Sequence, residues 1–348
     1  MAEPRVNVLF PTVGRRVELV RCFRRAYEGL RLEGHVIGMD MDPLAPALQV
    51  VDRPYLVPRL DSPDYLPALL EVCRREAVDL IVPLIDADLD VLVRHRDELA
   101  AAGMQVAVSS PAVIALTRDK WRTTQFFRRL GLATPASWLP EQLRPDEARY
   151  PLFIKPRDGN GGKHAYRVND ARELTFFLQY VPDPIVQRLL SGPEITTDVV
   201  CDLAGAVLGV VSRQRIEVRF GEVAKGVTMR DPRIVDACVR IAAALPACGP
   251  ITVQCFLHEG VPHFTEINAR LGGGIPLGIA AGVDAPRLLL AAVAGLAIAR
   301  PRIGDYRTDL YMTRFDDSFM LTAGQRARVA RRVAPIERTA PIPAPPPA

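Results

Sequence analysis

Apolar and polar positions follow two rhythms over the first hundred residues. Continuous apolar runs at Val6–Thr12, His35–Met39, Leu80–Ile85 and Gln105–Val108 read as buried strands. Between them apolar residues recur at helical spacing, through Val17, Val20, Phe23 and Tyr27, and again over Asp64–Ala77 and Leu89–Ala102. Repeated strand–helix units of this length predict an α/β domain, a doubly wound parallel sheet with helices on both faces. Such sheets bind ligands beyond the carboxyl ends of their strands. Here those ends carry Pro11–Arg16, then Asp40-Met41-Asp42, then Asp86-Ala87-Asp88.

After Ser110 the rhythm changes to an α+β pattern. A helix is expected over Pro111–Leu130 and a strand over Tyr150–Pro156 that enters a glycine-rich loop. His164–Val168 reads as the return strand, Arg172–Tyr180 as a helix and Pro184–Leu190 as a strand. Antiparallel strands follow at Ile195–Cys201, Val207–Arg213, Thr252–Leu257 and Pro262–Asn268, with a helix over Arg233–Leu245. Arg307–Phe319 reads as a strand and turn. The chain thus divides into a parallel-sheet domain (1–111), a linker helix with a small lobe (112–190), an antiparallel lobe (191–303), an extension (304–334) and a tail (335–348). The tail is rich in Pro and Ala and is expected to stay disordered.

Composition narrows the classes. With 348 residues, 49% hydrophobic and 24% charged, the chain is long enough for two or three packed domains. Lys plus Arg (44) nearly balances Asp plus Glu (40), leaving +4 and no block of like charge, so no nucleic-acid partner is expected. The longest apolar run, Leu288–Ala299 between Arg287 and Arg300, is too short to cross a bilayer and reads as a buried helix, so no membrane partner is expected either. The N-terminus lacks the basic and apolar regions of a signal peptide, and six cysteines contain no C-x-x-C pair. A reduced, cytoplasmic setting is expected.

Two constellations carry chemistry. In Phe153-Ile-Lys155-Pro-Arg-Asp-Gly159-Asn-Gly161-Gly162-Lys163 an apolar strand ends at a lysine and three glycines follow. Glycines let backbone N–H groups turn inward around phosphate oxygens, and lysine adds a fixed charge. No Gly-Lys-Ser/Thr opens a helix and the next segment reads as strand, so the pattern is a glycine-rich β-hairpin rather than a P-loop. In the second, Thr252–Leu257 and Pro262–Asn268 flank a turn near Gly260. Glu266, Asn268 and Arg270 alternate with apolar residues and share one face, with Gln254 opposite Glu266. One carboxylate and two amide oxygens beside a guanidinium suit Mg²⁺ or Mn²⁺ and a phosphoryl group.

Taken in order, Arg118-Asp119-Lys120, Phe-Ile-Lys155-Pro, Gly159–Gly162, Val186-Gln187…Gly192-Pro-Glu194, Gln254 and Glu266-Ile-Asn268-Ala-Arg270 resemble the ATP-grasp superfamily over most of the chain. The nearest resemblance is to one half of a carbamoyl-phosphate synthase large subunit and its free-standing relatives. That resemblance implies a pre-ATP-grasp domain followed by a two-lobed ATP-grasp domain, with ATP and Mg²⁺ (or Mn²⁺) as cofactors. It implies Lys120 and Lys155 on the α- and β-phosphates, with Gly159, Gly161 and Gly162 closing over them. Gln187, Leu189 and Leu190 would form the adenine hinge and Glu194 would lie near the ribose. Gln254, Glu266 and Asn268 would hold metal, and Arg270, Lys225 and Arg215 would serve the phosphoryl group and acyl phosphate. Arg188 stands where many relatives carry an acidic hinge residue, and Gln254 where some carry a carboxylate.

No nucleophile–base pair is visible, so the expected chemistry is positioning and charge neutralisation. The main expectation is a carboxylate–amine (or ammonia) ligase that releases ADP and phosphate through an acyl phosphate. Gly14, Arg15, Asp40, Asp86, Arg213 and Gly273 would shape the pocket for small-molecule substrates, an amino acid among the candidates, and a homodimer fits the relatives. Two alternatives stand beside it: a carbamoyl-phosphate synthase-like kinase acting on bicarbonate or carbamate with a partner, and a non-catalytic ATP-binding regulator.

Overall fold

The computed structural model of the chain describes residues 4–332 apart from Asn160, Phe220 and Ala330, so the tail over 335–348 lies outside the described residues. The first region forms a parallel sheet from β1 (Val8–Phe10), β2 (Val36–Asp40), β3 (Arg53–Leu56), β4 (Leu80–Ile81) and β5 (Gln105–Val106). Their order is β3-β2-β1-β4-β5. Helices α1 (Val17–Leu30), α2 (Tyr65–Arg75), α3 (Asp86–Arg94) and α4 (Arg96–Ala101) connect them. Every residue of β1 and β2 is buried, as strands covered on both faces require. Strand β3 was not expected, because it opens on Arg53-Pro54 and contains no apolar run. The single helix expected over Leu89–Ala102 is instead α3 and α4, and α3 begins earlier, at Asp86. The apolar stripe of α1 (Leu19, Val20, Phe23, Ala26, Tyr27) faces the sheet, and Phe23 meets Phe10 edge to face at 5.0 Å.

The helix expected over Pro111–Leu130 is broken. Asp119 takes extended backbone (φ −86°, ψ 107°), ending α5 (Pro111–Arg118) and starting α6 (Lys120–Arg129). Its carboxylate accepts from the N–H groups of Trp121 and Arg122, a cap that competes with helix continuation. A four-stranded antiparallel sheet follows, from β6 (Ser137–Trp138), β7 (Leu152–Pro156), β8 (Tyr166–Val168) and, after α7 (Ala171–Tyr180), β9 (Pro184–Arg188), in the order β6-β9-β7-β8.

The larger antiparallel sheet contains β10 (Glu194–Cys201), β11 (Val207–Arg219), β12 (Glu222–Met229), β13 (Ile251–His258) and β14 (Val261–Asn268), with α8 (Pro232–Ala244) between β12 and β13. Strand β11 runs past the expected end at Arg213, and its partner β12 was not expected. Helices α9 (Ile275–Ala280) and α10 (Ala285–Val293) lead back against α1, and β15 (Tyr311–Thr313) adds an edge next to β12. The apolar run from Leu288 forms a short buried helix ending at Val293, and among the described residues no helix is long and apolar enough to cross a membrane. After α11 (Ala323–Val329), β16 (Arg331–Arg332) pairs parallel with β3, so the last described residues return to the first sheet. All six cysteines are buried and free.

The acids at the strand ends of the first sheet hold loops in place. Asp88 is fully buried; it accepts from Thr12 Oγ1 at 2.7 Å and from the N–H groups of Leu84 and Ile85 at 3.0 and 3.2 Å. Burial pushes its carboxyl up to about 6, while these bonds and Arg270 pull the other way. The folded value lies above the unfolded one, so the protonated carboxyl favours the fold below about pH 4, and that contribution disappears as pH rises through about 6. Denaturation of wild type and Asp88→Asn from pH 4 to 7 should therefore show wild type losing about 1–3 kcal/mol relative to the variant. A constant difference would contradict the buried-acid account.

Candidate active site

The hairpin of β13 and β14 sets the metal-type face. Its turn is Glu259-Gly260, both with positive φ, as a two-residue hairpin of this twist demands. His258 pairs with Val261 and Cys255 with Phe264; then the register slips by one residue and Gln254 pairs with Glu266. Thr265 is the extra residue of a β-bulge. The slip places Gln254, Glu266 and, further on, Asn268 toward a cleft, while Cys255, Phe264 and Ile267 stay in the core. Arg270 continues that alternation and remains half-buried.

Across the cleft stands the glycine-rich hairpin of β7 and β8, with Ile154 opposite Tyr166. Gly159, Gly161 and Gly162 all have positive φ, so the loop curls in a way side-chain-bearing residues rarely adopt. Lys120, first in α6 and buried, donates from Nζ to Gly159 O at 2.6 Å, and its N–H donates to Arg157 O at 3.0 Å. Burial pushes the Lys155 ammonium down to about 8; Glu266 and Glu194 raise it and Lys120 lowers it. Asp86, Lys120, Gly159, His164, Glu266 and Asn268 line a cleft of about 340 Å³ between these walls. Two lysines, a glycine hairpin and a carboxylate–amide face fit a polyphosphate with a hard cation, since Mg²⁺ takes few protein oxygens and fills its shell with phosphate and water.

Two models of known families match, a PylC-like N-terminal domain over residues 8–107 and an ATP-grasp domain over residues 117–274. A D-alanine--D-alanine ligase of Fusobacterium nucleatum is 30% identical over 207 residues, 54% of this chain and 71% of that protein. The chain belongs to the ATP-grasp family. A carbamoyl phosphate synthase large chain of Thermomicrobium roseum is 27% identical over 290 residues, covering 76% of this ATP-grasp chain but only 26% of that protein. Among solved structures, a Campylobacter jejuni biotin carboxylase superposes with TM-score 0.70 at 17% identity (88% of this chain, 74% of that one). An L-amino acid ligase from Bacillus licheniformis superposes with 0.63 at 18% (84% and 75%). The family includes ADP-forming carboxylate–amine ligases.

Several residues expected in the site of this ATP-grasp chain are placed elsewhere. Gln187 lies inside the small sheet, its backbone paired with Ser137 and Phe153 and its amide donating to Ser137 Oγ at 2.9 Å. Leu189 and Leu190 follow directly on β9, which ends at Arg188. Arg215 donates to Glu194 Oε1 at 2.6 Å and to Gly221 O at 3.0 Å, and Lys225 is exposed on Glu217 at 2.7 Å; neither joins Arg270. Arg213 is buried in an ion pair with Asp198, beneath the Gly272–Gly274 loop. Asp40 accepts from the N–H groups of Gly14 and Asp42, so it fixes the first strand-end turn and both of its oxygens are engaged. Arg15 is exposed; its neighbour Arg16 is the residue turned inward. Glu222 and Arg314, which join Arg16 beside Gly273, were missed because β12 and β15 carry no distinctive periodicity.

Asp86 and Arg270 do come together. Arg270 Nε and Nη2 reach the two Asp86 oxygens at 2.9 Å each, a bidentate pair joining the first domain to the end of β14. Both side chains keep little exposure (22% and 16%). A double-mutant cycle of Asp86→Asn and Arg270→Gln should give a coupling of about 1–3 kcal/mol in unfolding free energy. Additive effects would show the pair to be incidental.

Proposed function

We propose that this chain is an ATP- and Mg²⁺-dependent ligase that joins a carboxylate to an amine or ammonia through an acyl phosphate. The observation that carries this reading is the bulge-phased face of Gln254, Glu266 and Asn268 opposite Lys120, Lys155 and the glycine hairpin. Lys120 and Lys155 would take the α- and β-phosphates, and the loop over Gly159–Gly162 would cover them. Gln254, Glu266 and Asn268 would hold the metal, which when bound neutralises phosphate charge. Leu189 and Leu190 would border adenine, with Glu194, held by Arg215, on the ribose side.

Arg270 stands at the end of this face and would steady the γ-phosphoryl group once it exchanges Asp86 for phosphate. An oxygen of the substrate carboxylate forms the new bond to the γ-phosphorus as the bond to the β-phosphate oxygen breaks, and ADP leaves. The amine nitrogen then attacks the acyl carbon, the C–O bond breaks, and phosphate departs with the electron pair and the amine proton. The protein positions and neutralises and forms no covalent bond itself. The names of the relatives, a D-alanine--D-alanine ligase and an L-amino acid ligase, favour two organic substrates over bicarbonate. Among the described residues of the cleft lining no hydroxyl or thiol is hydrogen-bonded to a histidine, which fits the same chemistry. The PylC-like domain would contribute the substrate side, and a cytoplasmic homodimer is the expected working form.

The test is turnover of ATP with Mg²⁺ against pooled carboxylic acids and amines, with products resolved by mass spectrometry. ADP release that requires both pools, and that falls by about a hundredfold or more in Glu266→Gln, is the expected result. AMP release would contradict the acyl phosphate, and Mg²⁺-dependent ATP binding without turnover would favour the regulator.

A further inference from the structure

Helix α3 of the first domain carries acids at Asp86, Asp88 and Asp90. Asp88 points into its own domain, where Thr12 and the N–H groups of Leu84 and Ile85 hold it, and Leu89 and Leu92 are buried close by. Asp86 and Asp90 stand one helical turn apart on the other face, and both line the cleft. Asp86 grips Arg270 at the end of β14. Asp90 grips Arg118, whose other terminal nitrogen donates to Asp158 Oδ2 at 2.7 Å. One face of α3 therefore reaches both walls of the cleft, the β14 wall directly and the glycine hairpin through Arg118.

This tie to the hairpin is one of three made by consecutive residues. The break at Asp119 turns Arg118, Asp119 and Lys120 toward Arg157, Asp158 and Gly159, where β7 gives way to the glycine loop. Arg118 holds Asp158, Asp119 Oδ2 accepts from Arg157 Nη2 at 2.6 Å, and Lys120 Nζ holds Gly159 O. A phosphate oxygen that takes the Lys120 ammonium removes the last of these side-chain ties. Arg118 and Asp119 then hold the root of the loop, and Arg118 carries the tie on to α3. Asp90, Arg118 and Asp158 also line a second groove of about 390 Å³, so open space borders this ion pair on two sides and charge, more than packing, sets its position.

We infer that α3 is a strut that sets the separation of the two cleft walls, and that Arg118 is the positioning residue that passes this setting to the glycine hairpin. This deepens the ligase reading and rests on it. Lys120 and Lys155 on one wall and the face of Gln254, Glu266 and Asn268 on the other can share one nucleotide only at a fixed spacing. A guanidinium suits the post, because its planar fork donates to two carboxylates at once, whereas an ammonium is a point charge. Arg118, Asp90 and Asp158 keep 38%, 36% and 61% of their side-chain surface exposed, and pairs so exposed add little to fold stability. Their effect falls on the placement of the loop, and so on the phosphates it covers rather than on the nucleoside.

Equilibrium binding separates this role from a merely structural one. The full chain is titrated with a non-hydrolysable ATP analogue in Mg²⁺ and, separately, with adenosine. Arg118→Ala should weaken the analogue about fivefold, while adenosine affinity stays within about twofold and the thermal midpoint within about 3 °C. Arg118→Lys should recover part of the loss. Asp90→Asn should weaken the analogue too, and combined with Arg118→Ala should cost nothing further, because both cut the same tie. Asp158→Asn, which severs the loop end alone, should give the same phosphate-selective loss and keeps the test open if Arg118→Ala does not fold. Unchanged affinity for the analogue, equal losses for analogue and adenosine, or additive losses in the double variant would overturn the inference. If wild type binds neither ligand, the ligase reading fails and this inference fails with it.

Discussion

The site depends on one extra residue in a hairpin. Strands β13 and β14 leave their two-residue turn in a register that, continued unbroken, would set Gln254 against Thr265. The bulge at Thr265 shifts the pairing so that Gln254 meets Glu266 and Thr252 meets Asn268. Directly paired residues share a face, so this shift gathers three oxygen donors on the cleft side and leaves Val253, Cys255 and Ile267 in the core. Without it the same composition would split Gln254 from Glu266. Beyond the strand, the same phase sends Arg270 across to Asp86, and the two domains are joined at the point where their chemistry meets.

Around that face the structure manages charge by pairing. Lys120 is tied to the glycine hairpin, Arg215 to Glu194, Arg213 to Asp198 and Arg270 to Asp86. Buried guanidinium groups need partners, and most of these have them. Arg16 is likewise paired, with Glu222 at 2.9 Å; among the described residues Arg16 Nη1 and Arg213 Nε make no aligned hydrogen bond, and both lie against the Gly272–Gly274 loop. Glycine is required there for space: a Cβ at Gly274 would collide with Arg213 Nε, and one at Gly273 with Arg16.

Much of this was legible in the chain, for physical reasons that differ by element. Strands buried on both faces declare themselves as apolar runs, and β1 and β2 appear where those runs lie. The glycine hairpin was readable because an apolar strand, a lysine and three glycines constrain the geometry closely. The pairing of Gln254 with Glu266 was expected from a turn centred on Gly260. In the structure the turn is Glu259-Gly260 and the bulge supplies the missing residue, so the expected pair arises by another route. The break at Asp119 was hidden because the apolar rhythm continues through it, and only the capping bonds reveal it. Arg15 and Arg16 are indistinguishable by type; the turn after β1 decides which faces inward. Arg314 and Glu222 meet only through tertiary pairing of β15 with β12, which no local pattern records.

A crystal structure grown with Mn²⁺ and ADP tests the central claim most directly, because the anomalous signal of manganese locates the metal without reference to any assumed site. Manganese is expected on the face of Gln254, Glu266 and Asn268, with the ADP phosphates between the metal and the ammonium groups of Lys120 and Lys155. Manganese held elsewhere, or ADP outside the cleft between the glycine hairpin and β14, would contradict it.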